Sequence, residues 1–578
     1  MQNKDYSPDE NQENPLATTP SPATPALAIS RRRWLQATGG SGMAAMLGGL
    51  GNLFIAPTAS AEELGPLTPD RRRYEEYWLR SRCARSHFEE RRPPQESNGD
   101  EELYDDKRGN FSKCLPHNEF GEVDQAAYQS LRNALASGDP QDFEAIVLAP
   151  DAGLGTGRRL ANPQAAYAFE MTGIGTHATR IAPPPAFASA AMAAEMAEVY
   201  WQALTRDIPF ERYESDALVN AAVEDLNRLS VQAGPTESGR VTPRTLFRGS
   251  TAGDLVGPYL SQFLWLPIPY GMATIDQRYR FPVADEDFGT DYAEWLALQR
   301  GAIPTRALSF DSDTRYIASN RDLGQYVHVD FPFQAFFNAG LIMMGFGVEA
   351  LAPENPYRDS FTQEGFVTFG VADINHLVTK AADTAMKSAW YQKWLVHRRV
   401  RPEVYAGRIE NQRRGRDYGL PDELLLSDAV ARLVARNGNA LLPLAYPEGS
   451  PTHPSYPAGH ATFSGACATV LKALFNEDYL IDAVQPSADG TGLEAIPSTT
   501  ELTLGGEINK LAHNIALARD AAGVHYRADG AQGLLAGEQQ ALGLLQDYSK
   551  TYNEDFPGFF LTRFDGTPVQ IVDGRIVT

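Results

Sequence analysis

The chain has 578 residues, 43% of them hydrophobic and 21% charged, a balance that excludes disorder as its main state and supplies enough apolar material for large cores. Its 73 acidic residues outnumber the 51 basic ones, for a net charge of −22, which argues against a general nucleic-acid or anionic-membrane surface and confines any anion site to a local basic pocket. Three cysteines are too few for a disulfide framework or a four-thiolate zinc site.

Residues 1–29 are rich in Pro, Ala, Ser and Thr without periodicity and read as a leader. Ser30-Arg31-Arg32-Arg33-Trp34-Leu35-Gln36 follows, then an uncharged, glycine-rich stretch ending in Ala59-Ser60-Ala61 ahead of Glu62. This pattern predicts a twin-arginine export signal over 1–61 and a periplasmic or extracellular destination. The glycines and Pro57 argue against a stable membrane anchor. Export permits a disulfide, and Cys83 with Cys114 is the pair to consider if geometry allows. Cys467, in an Ala-rich run, reads as a small buried apolar residue.

Two regions follow, 62–370 and 371–578. In the first, Ala188 to Arg206 carries apolar residues at helical spacing around Met192, Met196, Tyr200 and Leu204, and His87, His117, His177 and His328 are scattered as structural residues are. In the second, helices are expected over Asp373 to Val400, Asp422 to Arg436, Gly459 to Asn476, Glu501 to Ala522 and Ala528 to Tyr552. Strand signals concentrate in Phe559 to Val577, where Asp565-Gly566 and Asp573-Gly574 mark turns between alternating runs. The expected fold is all-α, built of helical bundles, with a small C-terminal β-hairpin. The other six histidines fall within 371–530, so function is sought there.

Three blocks carry chemistry. In Trp390 to Pro402, Lys393, His397 and Arg401 fall four apart and so line one helical stripe, which Pro402 closes by biasing Arg401 away from helical dihedrals. A Lys and an Arg pointing one way suit a multi-oxygen anion; Arg398 and Arg399 read as a solvated basic face. In Pro451 to His460, prolines stiffen the approach to a helix. Gly459 allows close backbone approach just where a helix N-terminus presents unpaired N–H groups. His453 and His460 are the groups there able to exchange protons near neutral pH. In Arg519 to Asp529, six residues on one regular helix would put Arg519 and His525 some ~120° apart. Convergence therefore requires a bend, which Gly523 permits. Asp529 is the candidate to orient either His525 or one of the arginines from behind.

In combination these blocks resemble the vanadium-dependent haloperoxidases, bromoperoxidase type, which share the pocket pattern of the type 2 phosphatidic acid phosphatase superfamily. The resemblance runs through Gln392-Lys393-Trp394 to Arg401-Pro402-Glu403, Ser450 to Tyr456, Gly459-His460, Gly506 to Leu511 and Arg519 to Asp529. Looser similarity, as at Asn162-Pro163-Gln164 and Tyr326-Val327-His328-Val329-Asp330, covers most of the chain after the signal. The resemblance implies two four-helix-bundle-like cores and a vanadate cofactor. His525 would be the coordinating imidazole, and Lys393, Arg401, Arg519 and the Gly459 N–H would hold the equatorial oxygens. His460 would face the apical oxygen as acid/base, and His453 would be the extra histidine of the bromoperoxidases. The implied reaction is halide oxidation, with bromide the expected halide, by hydrogen peroxide to a hypohalous-acid-like species that halogenates small organic acceptors, with Lys393 polarising the activated oxygen. A homo-oligomer is implied as well, whereas a structural calcium has no ligand run behind it. One departure stands out: Ala458 replaces the serine of the usual Pro-Ser-Gly-His, removing a hydroxyl donor. The rivals are an exported acid phosphatase, with His525 as nucleophile and His460 as leaving-group acid, and a non-catalytic oxyanion-binding or shell protein. The paired proton carriers His453 and His460 argue against the last.

Overall fold

The computed structural model describes residues 67–92, 94–496 and 500–577. The export signal expected over 1–61 lies outside them. Residues 74–578 form one compact unit, and its hydrophobic clusters draw side chains from both sides of position 370.

The helices that position the site are α1 (Ala190–Leu204), α2 (Asn320–Val329), α3 (Gln334–Met344), α4 (Val371–Tyr391), α5 (Pro402–Arg413), α6 (Gly459–Leu474), α7 (Leu504–Ala521) and α8 (Arg527–Tyr548). Helix α6 packs against α4, α7 and α8, and α8 also contacts α4 and α7, making a helical bundle with α6 at its centre. Small residues make this packing possible. A Cβ on Gly465 would fall 2.1 Å from the Leu534 carbonyl oxygen, and one on Gly537 would fall 2.0 Å from that of Thr462. Backbone thus meets backbone where α6 crosses α8, and apart from His460 and Lys472 α6 is built of apolar or small residues because nearly all of it is covered. A second core gathers α1, α5 and the helix Asp428–Asn437 around Trp201, Tyr200, Tyr405 and Leu433.

The chain is mainly helical, as expected. The C-terminal strands β1 (Phe559–Thr562), β2 (Pro568–Val572) and β3 (Arg575–Val577) form an antiparallel sheet in sequential order, so the hairpin gains a third strand. Short two-stranded ladders, such as Ile268–Tyr270 with Ala273–Ile275, carry no sequence pattern long enough to foresee.

Three expectations need correction. The long helix expected to Val400 stops at Tyr391. A π-helical turn, Gln392–His397, continues it, and Arg398 at φ 41° ends it. Arg401 is extended, φ −83° and ψ 154°, but it opens α5 rather than closing the preceding helix, because Pro402 sits at the first helical position where its missing N–H costs nothing. The bridge considered between Cys83 and Cys114 is not formed: both thiols are free. Cys114 is buried against Ala149 and Ala152, whereas Cys83 lies beside Lys550.

Candidate functional site: a buried cationic pocket

Lys393 comes from the π-helical turn, where a widened backbone turns its side chain towards the Pro454–Ser455 loop. Its Nζ donates to the Pro454 and Ser455 carbonyls, both at 2.8 Å. Arg401 is fixed by the extended start of α5. Its Nε and Nη2 donate to the His453 carbonyl at 3.0 and 2.9 Å, and its Nη1 donates to the Val524 carbonyl at 2.6 Å. Nη1 also lies 3.0 Å from Nε2 of His525. Arg519, in the last turn of α7, donates to the Val327 carbonyl at 2.8 Å, sits over the Tyr446 ring, and leaves its Nε without a partner.

Relative exposure is 0% for Lys393 and Arg401, 5% for Arg519 and 2% for His525. Among the described residues none of the three cations forms an ion pair with a carboxylate. Burial without a counter-charge is expensive, and the ionisation behaviour reflects it. Burial first, then Arg401 and Arg519, hold the Lys393 ammonium well below its usual range, and burial with Arg519 pushes Arg401 down to about 9.

His525 occupies the hinge between α7 and α8, where Gly523 adopts φ +81° and ends α7. This is the bend the sequence requires. Asp529, one turn into α8, accepts from His525 Nδ1 at 2.8 Å and from the Tyr526 N–H at 3.2 Å. It also accepts from Ser455 Oγ and, at 2.7 Å, from Arg399 Nη1. Asp529 therefore orients the histidine and an arginine at once. With Nδ1 donating to the carboxylate, Nε2 presents its lone pair towards Arg401. Burial opposes ionisation of Asp529, but Arg399 and His525 outweigh it and hold the carboxyl well below its usual range.

Helix α6 begins at Gly459, and Ala458 before it offers no side-chain cap, so the first N–H groups of α6 are free to meet an anion. His460 follows with 24% of its side chain exposed, and its Nε2 lies 2.9 Å from Oδ1 of Asp330. Burial and Arg519 lower the His460 pKa, while Asp330 opposes them. His453 packs against Trp390, ring centroids 4.8 Å apart, and its Nδ1 lies 3.0 Å from Arg401 Nη2. Burial first, then Lys393 and Arg401, hold His453 well below its ordinary pKa.

Lys393, Arg401, Gly459, His460, Arg519, His525 and Asp529, with His453 beside them, thus come together from three blocks of sequence. His397 does not join them. It packs edge-on against Tyr456, and among the described residues neither ring nitrogen has a partner. Arg398 and Arg399 are not a solvated face but are buried, paired with Glu101 and with Glu195 and Asp529 respectively. A cavity of about 500 Å³ opens elsewhere, between Phe210, Tyr259, Arg248 and the turn at Gly490, and none of these site residues lines it. Among the described residues no group of three or more His, Cys, Asp or Glu side chains is placed to hold a metal ion, so the calcium suggestion gains no support.

A family model for the VCPO second helical-bundle domain matches residues 374–554. The vanadium-dependent bromoperoxidase of Ascophyllum nodosum is 37% identical over 473 residues, covering 78% of this chain and 84% of that protein. The vanadium-dependent bromoperoxidase of Corallina pilulifera is 33% identical over 568 residues, covering 83% and 95%. The chain belongs to the vanadium-dependent bromoperoxidases. The fold agrees: the homohexameric second vanadate-dependent bromoperoxidase of Ascophyllum nodosum superposes with a TM-score of 0.83 at 28% identity, covering 91% of this chain and 94% of that one.

Within this bromoperoxidase chain, sequence reasoning missed Asp330 and Glu195 as part of the site. Asp330 stands in the Tyr326-Val327-His328-Val329-Asp330 stretch that resembles the family loosely, but a carboxylate 130 positions from its partner histidine leaves no spacing signal. Glu195 lies inside an apolar helical run, where a lone buried acid implies a buried partner.

Proposed function

We propose that this pocket holds vanadate and that the protein oxidises bromide with hydrogen peroxide, releasing a hypohalous-acid-like oxidant that halogenates small organic acceptors. The observation that carries the reading is a trio of buried cations, Lys393, Arg401 and Arg519, which among the described residues meet no carboxylate, beside an imidazole whose Nε2 lone pair faces Arg401. Such a donor set fits a tetrahedral or trigonal oxyanion carrying several negative charges.

His525 would be the single imidazole ligand, and Lys393, Arg401, Arg519 and the N–H groups at Gly459 would hold the oxygens. Bound vanadate supplies Lewis-acid activation of hydrogen peroxide. The protein's own groups do the rest. His460 takes a proton from incoming peroxide and Asp330 stabilises the protonated ring. Lys393 would direct its positive charge at an oxygen of the bound group. His453 and Trp390 line the approach. Buried cations and the packed α6 start exclude bulk water, which strengthens each of these interactions.

Bromoperoxidase relatives matching most of the chain favour halide oxidation over the acid phosphatase reading. The retained His453 and His460 favour catalysis over simple oxyanion storage. We further propose export through the twin-arginine signal over 1–61 and assembly as a homo-oligomer. Among the described residues no helix is long and apolar enough to cross a membrane, and a relative of the same fold is homohexameric. Purified protein assayed with vanadate, peroxide and bromide, beside phosphate-ester hydrolysis without vanadate, tests the reading. Bromination that depends on vanadate supports it; ester hydrolysis with no bromination overturns it.

A further inference from the structure

Behind the cationic pocket lies a second tier of charge that the chemistry above does not use. Arg399, fully buried, donates from Nη1 to Asp529 Oδ1 and from Nη2 to Glu195 Oε2, both at 2.7 Å. Its guanidinium lies 4.2 Å from the Tyr526 ring centroid. Glu195, on α1, uses its other oxygen to accept the Ala528 N–H at 2.7 Å. One acid therefore grips both the arginine and the first turn of α8. The opposite oxygen of the Asp529 carboxylate, Oδ2, receives His525 Nδ1 and Ser455 Oγ.

The geometry assigns Arg399 as a positioning residue that, braced by Glu195 and Tyr526, fixes the plane of the Asp529 carboxylate so that Oδ2 accepts from His525 Nδ1 and the Nε2 lone pair is aimed into the pocket. The Arg399 guanidinium contacts neither His525 nor the pocket cations and reaches the histidine through Asp529, while its backbone carbonyl accepts the Ser455 N–H at 3.1 Å, a contact that side-chain substitution leaves in place. A planar fork is required because two nitrogens must serve two carboxylates along fixed directions while the flat face lies on Tyr526. Lysine offers one point charge and cannot do all three. The chain from α1 through Arg399 to the α7–α8 hinge also explains why a cation is buried here at all. It ties the region before position 370 to the one side chain whose orientation matters most, and supporting partners of metal-binding histidines commonly alter affinity about 10- to 100-fold.

This inference rests on vanadate being the ligand, so the test includes a measurement that does not need it. In protein free of vanadate, selective ¹⁵N labelling of histidine reports the His525 tautomer. Wild type is expected to show the Nδ1–H form, and Arg399→Met a mixture with Nε2–H. Calorimetric titration with vanadate should give a dissociation constant about 10- to 100-fold weaker for Arg399→Met, with Arg399→Lys between the two. In an Asp529→Asn background the Arg399→Met change should add less than about threefold, because coupled residues are not additive. Should Arg399→Met fail to fold, Glu195→Gln, which leaves all pocket residues in place, carries the same expectations at smaller amplitude. A pure Nδ1–H tautomer in the folded Arg399→Met or Glu195→Gln protein, or full additivity with Asp529→Asn, overturns the assignment. Absence of vanadate binding by wild type would instead overturn the proposed function and leave the tautomer test standing.

Discussion

Nε2 of His460 lies 2.9 Å from Oδ1 of Asp330, joining the start of α6 to the residue that follows α2. The contact places an acid behind a pocket histidine that keeps 24% of its side chain exposed. His460→Ala is therefore expected to keep vanadate affinity close to wild type while bromide oxidation falls by about 10²- to 10⁴-fold, the usual contribution of a positioned acid/base. Asp330→Asn removes the group that raises the His460 pKa and leaves burial and Arg519, which lower it. The limb of the kcat/KM profile belonging to this ring should then move to lower pH. Normal bromination by His460→Ala, or an unmoved profile in Asp330→Asn, refutes the role.

His525→Ala removes the imidazole that Asp529 orients at the pocket base. The three cations remain, so a weak oxyanion site should persist while tethered vanadate is lost. Metal analysis after gel filtration should find no stoichiometric vanadium, and bromination should fall to background. Retention of vanadium through the column would show that another atom is the ligand.

The site was legible in the sequence wherever its residues share a local block. Spacing plus one Pro or Gly that bends the chain draws attention to Lys393 and Arg401, Gly459 and His460, Arg519 and His525, and the family resemblance of the three blocks together is what joins them into one expected pocket. What spacing could not show is which charges face each other across hundreds of residues. Arg398 and Arg399 look like a solvated pair because Glu101 and Glu195, which bury them, are 297 and 204 positions away. The π-helical turn was equally hidden. Its apolar periodicity reads as ordinary helix, and only the need to bring both Lys393 and the extended Arg401 inward, with Pro402 fixing α5, makes the wider turn intelligible. The helical class and the C-terminal turns, by contrast, follow from local pattern and were recovered.

Ala458 stands fully buried at the N-cap of α6 with no side-chain cap to give. Ala458→Ser should restore a hydroxyl at a helix start. A neutral hydrogen bond contributes about 0.5 to 1.5 kcal/mol, so vanadate affinity should rise about two- to twelve-fold. Capping alone would stabilise the vanadate-free protein by about 1 kcal/mol. Denaturation without vanadate separates the two effects, and an unchanged or weaker dissociation constant sinks the affinity prediction.

Lys393 is held well below its usual range by burial and by Arg401 and Arg519. An anion entering the pocket reverses that bias and raises its pKa, so binding should be coupled to proton uptake. Molybdate, which does not itself titrate near neutral pH, is the cleaner probe. Measured over a series of pH values, its binding enthalpy should vary with buffer ionisation enthalpy in the sense of protons taken up, increasingly so as pH rises, and Lys393→Met should reduce that dependence. Equal enthalpies in all buffers would refute the coupling.

His397 is buried beside Tyr456, neither ring nitrogen has a partner among the described residues, and burial first, then Arg398 and Arg399, push its pKa down from the ordinary 6.5 to about 3. The unfolded chain thus binds a proton that the folded chain refuses. Stability from this group is complete above about pH 6.5 and is lost as pH falls towards 3, with a slope of about 1.4 kcal/mol per pH unit. Between pH 7 and pH 5 the loss should be on the order of 2 kcal/mol. His397→Phe keeps an aromatic ring of similar size against Tyr456 and forfeits no hydrogen bond, so it should remove that part of the acid sensitivity. Denaturant titrations at the two pH values check this: wild type should lose more stability than His397→Phe, and equal losses would mean that the buried imidazole gains a proton, or water, without unfolding.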